Sequence, residues 1–312
     1  MEQKGTILII DDVHQYLVEQ LPTIGYEVDY RPAIRQDEII PIIGKYVGLI
    51  VRSKTTIDKE VLQAATQLKF IGRAGSGLEI IDLEFAKSKD IVCFNTPEGN
   101  RDAVAEQAVG MLLSLITNIH KSYIEIKNDF VWDREGNRGI ELSSLNVGIV
   151  GYGNTGSAFA QKLSGFGCKV LAYDKYKTGF GTELVQEVDM DTLYQQADVL
   201  SFHIPLTQET QGLINTQYLS RFHKNIFLLN LSRGKIMRTA DIITALQSGK
   251  LRGAALDVLE NENLPSYTFD ERLQLSNLLA FPNVIITSHT GGWTHESYYK
   301  ISYYLFQKIK QL

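Results

Sequence analysis

Short apolar runs rich in Val, Ile and Leu recur along the chain, and between them apolar residues fall at helical spacing. The runs are TILII, VGLIVR, LKFIG, NVGIVG, KVLAYD, VLSFH, IFLLNLS, GAALDV and NVIITS. Strands alternating with helices imply an α/β fold with mostly parallel strands. A long helix is predicted over about Asp102–Asp129, where Val104, Ala108, Leu112, Leu115 and Ile119 keep helical spacing. Asn100 or Asp102 would cap it, and with no central breaker it can bridge two domains. The polar stretch ENENLPSYTFDERLQLSN before the last strand is expected to be a long loop.

Two strand-to-helix junctions are rich in glycine, FIGRAGSGLEIID (Phe70–Asp82) and VGIVGYGNTGSAFA (Val147–Ala160). A dinucleotide turn wants Gly-x-Gly-x-x-Gly directly after a strand. Its glycines allow a tight turn, close approach of a pyrophosphate to backbone N–H groups, and tight helix–strand packing. Gly151, Gly153 and Gly156 have that spacing, with Tyr152, Asn154 and Thr155 between and beside them. The next strand, KVLAYD, ends in Asp174, eighteen residues beyond Gly156, about where a carboxylate would bind ribose hydroxyls. That acid would repel a 2′-phosphate, so NAD is expected rather than NADP. Gly72, Gly75 and Gly77 have the wrong spacing, and no acid ends a following strand. This turn is expected to hold a smaller anion at its exposed amides.

Composition narrows the picture. With 312 residues the chain is long enough for two domains, each with its own core. Charged residues make up 21% and the net charge is −5 with signs interspersed, which argues against a nucleic-acid or membrane surface. Cys93 and Cys168 are too few for a disulfide framework and read as free thiols in apolar settings. MEQKG leads into only a short apolar run, too short for a signal peptide, and VGMLLSLITNI is too short to span a bilayer, so the chain reads as cytoplasmic. The opening ILIIDDVHQYLVEQL is compatible with a receiver domain holding magnesium at Asp11 and Asp12. However, the strand that would carry a phosphoacceptor ends in Arg52 and Ser53. No metal site is expected.

From GLIVRSKTTID onward the chain resembles the D-2-hydroxyacid dehydrogenases, and among them the D-3-phosphoglycerate dehydrogenases. The resemblance rests on FIGRAGSGLEIIDL, NTPEGNRDAVAEQAVGMLL, GIVGYGNTGSAFA, HIPLTQETQGLI, NLSRGKIM, GAALDVLENE and TSHTGGWTHES, in order and near the family's spacing. It implies a Rossmann NAD-binding domain at 99–281, inserted into a flavodoxin-like substrate domain formed by 1–98 and 282–312. Both would be doubly wound parallel-sheet domains, with the active site in the cleft and hinges after Pro97 and around Pro282.

Oxidising a secondary alcohol with a nicotinamide needs a base for the hydroxyl proton, a cation beside the carboxylate and nascent carbonyl, and a dry pocket. The resemblance gives His289 as the base, Glu262 as the carboxylate that orients its ring, and Arg233 as the cation. Glu260 competes with Glu262 for the second role. It also puts His203, Pro205 and Thr210 of HIPLTQETQGLI, Leu231, Asp257, Gly291 and Gly292 around the cofactor. His14, His120, His223 and His295 read as surface or structural. The chain departs from the family at Ser288 and Asn263, where proline is usual. It also stops after the closing helix, so no serine feedback through a regulatory domain is expected.

The substrate is the open question. A plain 2-hydroxy acid needs one carboxylate site, which the amides around Ser76 and Gly77 could supply with Arg233. A phosphorylated one needs further cations. Arg52 (beside Ser53), Arg73 (before Gly75) and Arg134 stand in matching stretches and favour D-3-phosphoglycerate, the serine-biosynthesis substrate. A glyoxylate or hydroxypyruvate reductase is the alternative within the class, and an NAD-sensing corepressor-like protein the alternative outside it. The resemblance implies a homodimer through the cofactor domain, with Arg134 reaching the neighbouring subunit's substrate.

Overall fold

The computed structural model describes residues 3–312, so Met1 and Glu2 of MEQKG lie outside the described residues. The chain forms two compact units, one of residues up to Ala103 plus Gly292–Leu312, the other Val104–Gly291.

The first unit holds strands β1 (Gly5–Ile9), β2 (Tyr26–Tyr30), β3 (Gly48–Val51), β4 (Phe70–Arg73) and β5 (Val92–Asn95), all parallel, in the order β2-β1-β3-β4-β5. Alternate residues of β1 point to opposite faces, and both faces are covered. Ile7 and Ile9 pack with Leu17, Phe70, Leu305 and Ile309, while Leu8 packs with Ile39, Ile43, Val61 and Leu62. Burial on both faces is why the central strands are apolar at successive positions. The closing helix His295–Ile309 covers one face of this sheet.

The second unit holds β6 (Asn146–Val150), β7 (Lys169–Tyr173), β8 (Gln186–Glu187), β9 (Val199–Phe202), β10 (Ile226–Asn230), β11 (Leu251–Leu256) and β12 (Val284–Ile286). They form one parallel sheet, ordered β12-β11-β10-β9-β6-β7-β8. The chain leaves β6 toward β7 and returns to its other side at β9. The carboxyl end of β6 is therefore the point where strand order reverses, the usual ligand crevice of such sheets.

Four expectations need correcting. The helix predicted over 102–129 is three pieces: Arg101–Ile116, Ile119–Ile124 and a π-helical turn Glu125–Asp129. Thr117 turns its hydroxyl back to the Leu113 carbonyl (2.6 Å) and Asn118 adopts a left-handed φ of +57°, so local side-chain chemistry ends the first piece. The stretch expected as a loop before the last strand contains the helix Phe269–Leu279. It opens on a capping box of Thr268 and Glu271, and looks loop-like in sequence because only Leu278 is buried. Val284–Ile286 pairs with β11, so residues 282–291 lie with the second unit rather than the first. Three strands, β2, β5 and β8, were not anticipated; all sit at sheet edges, where polar residues are tolerated.

Candidate active site

The turn after β6 is shaped by backbone meeting backbone. Gly151 has φ +93°, and a Cβ on Gly156 would lie 2.0 Å from the Gly151 carbonyl oxygen. Only glycine lets the helix Asn154–Leu163 start this close to the strand end. Gly153 caps that helix, Asn154 and Thr155 open its first turn, and Tyr152 stacks on Phe180 with ring centroids 4.4 Å apart. Asp174, at the end of β7, accepts from the backbone N–H groups of Tyr152 (2.7 Å), Tyr176 (2.9 Å) and Lys177 (3.0 Å). The carboxylate is thereby locked beside the turn.

His203 packs directly beneath. Its carbonyl oxygen lies where a Gly151 Cβ would go, and its Nε2 pairs with Ser201 Oγ at 2.8 Å. Burial pulls its pKa down to about 4, so the ring is neutral at physiological pH. Thr210 Oγ1 donates to the Pro205 carbonyl at 2.7 Å and closes the following turn, and Leu231 is buried just beyond β10.

At the ends of β10, β11 and β12 the chemistry-bearing side chains converge. Arg233, Glu260, Glu262 and His289 line one open depression of about 1370 Å³ within the second unit. Asn230, fully buried, accepts from Ser232 N and Oγ and donates to the Arg233 carbonyl (3.1 Å), which fixes the backbone from which Arg233 extends. His289 Nδ1 pairs with Glu262 Oε2 at 2.7 Å. Glu260 is committed elsewhere, accepting from Thr239 N (2.9 Å) and Oγ1 (3.0 Å). The Glu262 bond raises the His289 pKa above its ordinary value; desolvation opposes this, and the Arg233 cation adds a smaller opposition. A His Nδ1–H held by a carboxylate leaves Nε2 as the basic atom of the neutral ring.

His289 itself has φ +53°, unusual for a residue with a side chain. Asp257 holds this turn: its carbonyl accepts from His289 N (2.9 Å) and its carboxylate from Thr290 N (3.0 Å) and Gly291 N (2.7 Å). Thr287 Oγ1 (2.5 Å) and Gln107 Nε2 (2.8 Å) complete its partners, and Asp257 is 1% exposed. Sequence reasoning missed Gln107 and Thr287 because each was read only as part of a helix or strand pattern.

In the first unit the anticipated anion groups sit at strand ends. Arg52 follows β3, its N–H bonded to Asp11 Oδ2 (2.5 Å) and its guanidinium stacked 3.9 Å over Trp293, with Tyr298 at 5.4 Å. Ser53 beside it is exposed. Arg73 ends β4 and folds against Gly75, while Ser76 Oγ donates to Asn100 Oδ1 (2.6 Å) and Gly77 is half-buried. Asp12 takes hydroxyl donors from Tyr298 (2.8 Å) and Tyr30 (3.2 Å). Gly292 accepts from Ser297 Oγ (2.5 Å), tying the start of the closing helix. Arg134 lies in an exposed turn of the second unit. Among the described residues no cluster of three or more potential metal ligands occurs, and no helix is long and apolar enough to cross a membrane.

Residues 109–291 match the family model described as D-isomer specific 2-hydroxyacid dehydrogenase, NAD binding domain. The chain belongs to this family. Within it, the chain is 33% identical over 308 residues to the D-3-phosphoglycerate dehydrogenase of Synechocystis sp., covering 98% of this chain and 54% of that protein. It is 34% identical over 277 residues to the hydroxypyruvate reductase of Thermotoga maritima, covering 88% of each. The crystal structure of D-lactate dehydrogenase from Aquifex aeolicus, complexed with NAD and lactic acid, superposes with a TM-score of 0.82 at 26% identity, over 98% of this chain and 94% of that one. The chain spans about half the length of the phosphoglycerate dehydrogenases it matches. NAD, the family's cofactor, fits the residues present: a Cβ on Gly151 or Gly156 would meet backbone oxygen, Gly153 faces open space, and Asp174 directly follows the neighbouring strand.

Proposed function

We propose that the chain interconverts a D-2-hydroxy acid and its 2-oxo acid with NAD. The observation that carries this reading is the 2.7 Å His289–Glu262 bond, at strand ends of the unit whose glycine turn fits the cofactor. The Gly151–Gly156 turn, Asp174 and the segment around His203 and Pro205 would hold NAD, which when bound supplies the hydride acceptor. His289 takes the hydroxyl proton at Nε2, and Glu262 stabilises the imidazolium that forms. Arg233 grips the substrate carboxylate with its planar fork and polarises the C2 oxygen. In oxidation the working form is neutral His289. Because Glu262 raises the His289 pKa, it places the acidic limb of the pH–rate profile higher, and Glu262→Gln should move that limb down.

The substrate best supported is D-3-phosphoglycerate, oxidised to 3-phosphohydroxypyruvate, which would place the chain in serine biosynthesis. Arg52, Arg73 and Arg134 support it, as do relatives named for that activity. Hydroxypyruvate reduction is the second reading, favoured by a relative that matches over 88% of both chains. NADH formation with D-3-phosphoglycerate, D-glycerate and D-lactate tests both. We expect kcat/KM for the phosphorylated acid to exceed the others by at least about tenfold, the scale of one charge-assisted contact. Preference for D-glycerate moves the assignment to the second reading, and no turnover of any of the three overturns the proposal. A homodimer is supported by Phe130 and Trp132, 92% and 84% exposed in the stretch that carries Arg134. Light scattering that shows only monomer rules it out.

A further inference from the structure

Glu262 stands on an irregular segment between β11 and the helix Phe269–Leu279. It and His289 are each 43% exposed, and an exposed ion pair is weak unless its partners are held in place. One of the groups that hold this segment is a carboxylate on the following helix. Glu271 Oε2 accepts from Thr268 N (2.7 Å) and Oγ1 (2.8 Å), while its Oε1 accepts from Asn261 Nδ2 (2.9 Å). The bonds to Thr268 are the capping box of the helix, and the bond to Asn261 adds nothing to capping. Asn261 is itself a hub. Its carbonyl accepts from Tyr267 Oη (2.5 Å) and its Oδ1 from Asn263 N (3.0 Å), and the Asn263 carbonyl accepts from Ser266 Oγ (2.7 Å). Both chain neighbours of Glu262 therefore belong to one network that ends on Glu271.

We propose that Glu271 is a positioning residue: through Asn261 it fixes the backbone at 261–263 and thereby aims the Glu262 carboxylate at His289 Nδ1. This rests on the reaction proposed above, and it identifies the group that keeps the pair assembled on an exposed segment. The order is established on folding, so it need not be recreated in each catalytic cycle. Arg233, Lys235, Arg238 and Glu260 line the same depression as Glu262, Glu271 and His289. Glu260 is bonded to Thr239, Tyr267 faces Glu271, Glu262 and Glu260, and His289 faces Glu262, Asp257 and Arg233.

The test uses Glu271→Gln, because glutamine still accepts from Thr268 in a capping box but turns an NH2 group toward the Asn261 NH2. Asn261→Ala removes the same tie from the other side. In both variants we expect the His289 titration, followed by NMR in the unliganded protein, to move down toward that of Glu262→Gln. The acidic limb of kcat/KM should move with it, and kcat should fall about tenfold, the scale of a displaced catalytic partner. NADH affinity and Tm should stay near wild type. The double variant Glu262→Gln/Glu271→Gln should behave as Glu262→Gln alone. A wild-type His289 titration in both single variants, or additive losses in the double variant, overturns the role of Glu271. If Glu262→Gln alone leaves the His289 titration unmoved, the pairing itself has failed, and the positioning role falls with it.

Discussion

After β4 and after β6 the chain makes the same kind of exit, a glycine-bearing turn from the end of a parallel strand, but the two turns are constrained by different things. At β6 a Gly156 Cβ would meet a backbone oxygen 2.0 Å away, and the helix begins within four residues of Val150. At β4 the Gly75 φ is +146°, a Cβ there would meet the Arg73 guanidinium at 1.5 Å, and the helix does not begin until Leu83. The first turn presents a helix N-terminus and fits an extended diphosphate. The second stores a cation beneath a glycine and keeps a serine tethered beside it, which fits a small anion. What lies under the absent side chain, carbonyl or guanidinium, distinguishes them better than glycine content does.

The largest expected effect comes from Gly156→Ala. A backbone oxygen cannot retreat as a side chain can, and forced overpacking of about 1–3 kcal/mol should weaken NADH binding by up to about a hundredfold in a fluorescence titration. Gly75→Ala should leave NADH affinity unchanged and raise the hydroxy-acid KM about tenfold. If it weakens NADH as much as Gly156→Ala does, the two turns are not functionally distinct. Next comes Arg52→Ala, expected to raise the D-3-phosphoglycerate KM about ten- to a hundredfold while D-glycerate barely responds. Trp293→Leu, which removes the stacked ring but keeps the cation, should give a smaller rise of about three- to tenfold. Asp174→Asn sharpens the other half of the comparison: the ratio of kcat/KM for NAD over NADP should fall about tenfold or more once the charge is gone. An unchanged ratio means Asp174 only braces the turn through Tyr152, Tyr176 and Lys177.

A separate effect is on stability rather than on binding. His203 has a folded-state pKa of about 4 against an ordinary value of 6.5, so the unfolded chain binds the proton first as pH falls. Its contribution is complete above pH 6.5 and is lost progressively down to pH 4, up to about 3 kcal/mol. Urea unfolding at a series of pH values should show this slope, and His203→Gln should flatten it. A slope unchanged in that variant assigns the pH dependence to other groups.

Legibility in the sequence followed burial. The central strands of both sheets, apolar at successive positions because helices cover both faces, were plain, and so was the Gly151 turn. The edge strand β2, YEVDY, pairs on one side only and carries polar residues, so its period was hidden. The helix Phe269–Leu279 had a readable start signal in Thr268 and Glu271, but its exposed surface carried no stripe to match. At the candidate site the residue types were recoverable, whereas the preference for Glu262 over Glu260 came from the resemblance and not from the residues alone. Two carboxylates two positions apart look alike until Thr239 claims one of them. Asp257 was read as a cofactor contact, yet its carboxylate is occupied by the turn that carries His289. That bond joins residues 34 positions apart, Gly291 to Asp257, which no local pattern reveals.

The left-handed backbone of His289 has a consequence for any attempt to erase the residue. Among side chains, few besides asparagine and aspartate tolerate φ near +53° as readily, and alanine pays roughly 1–2 kcal/mol to stay there. His289→Ala therefore asks two questions at once, one about a missing ring and one about a turn invited to relax toward negative φ. His289→Asn keeps the turn's geometry and asks only about the ring. Where the two variants differ, the difference belongs to the main chain.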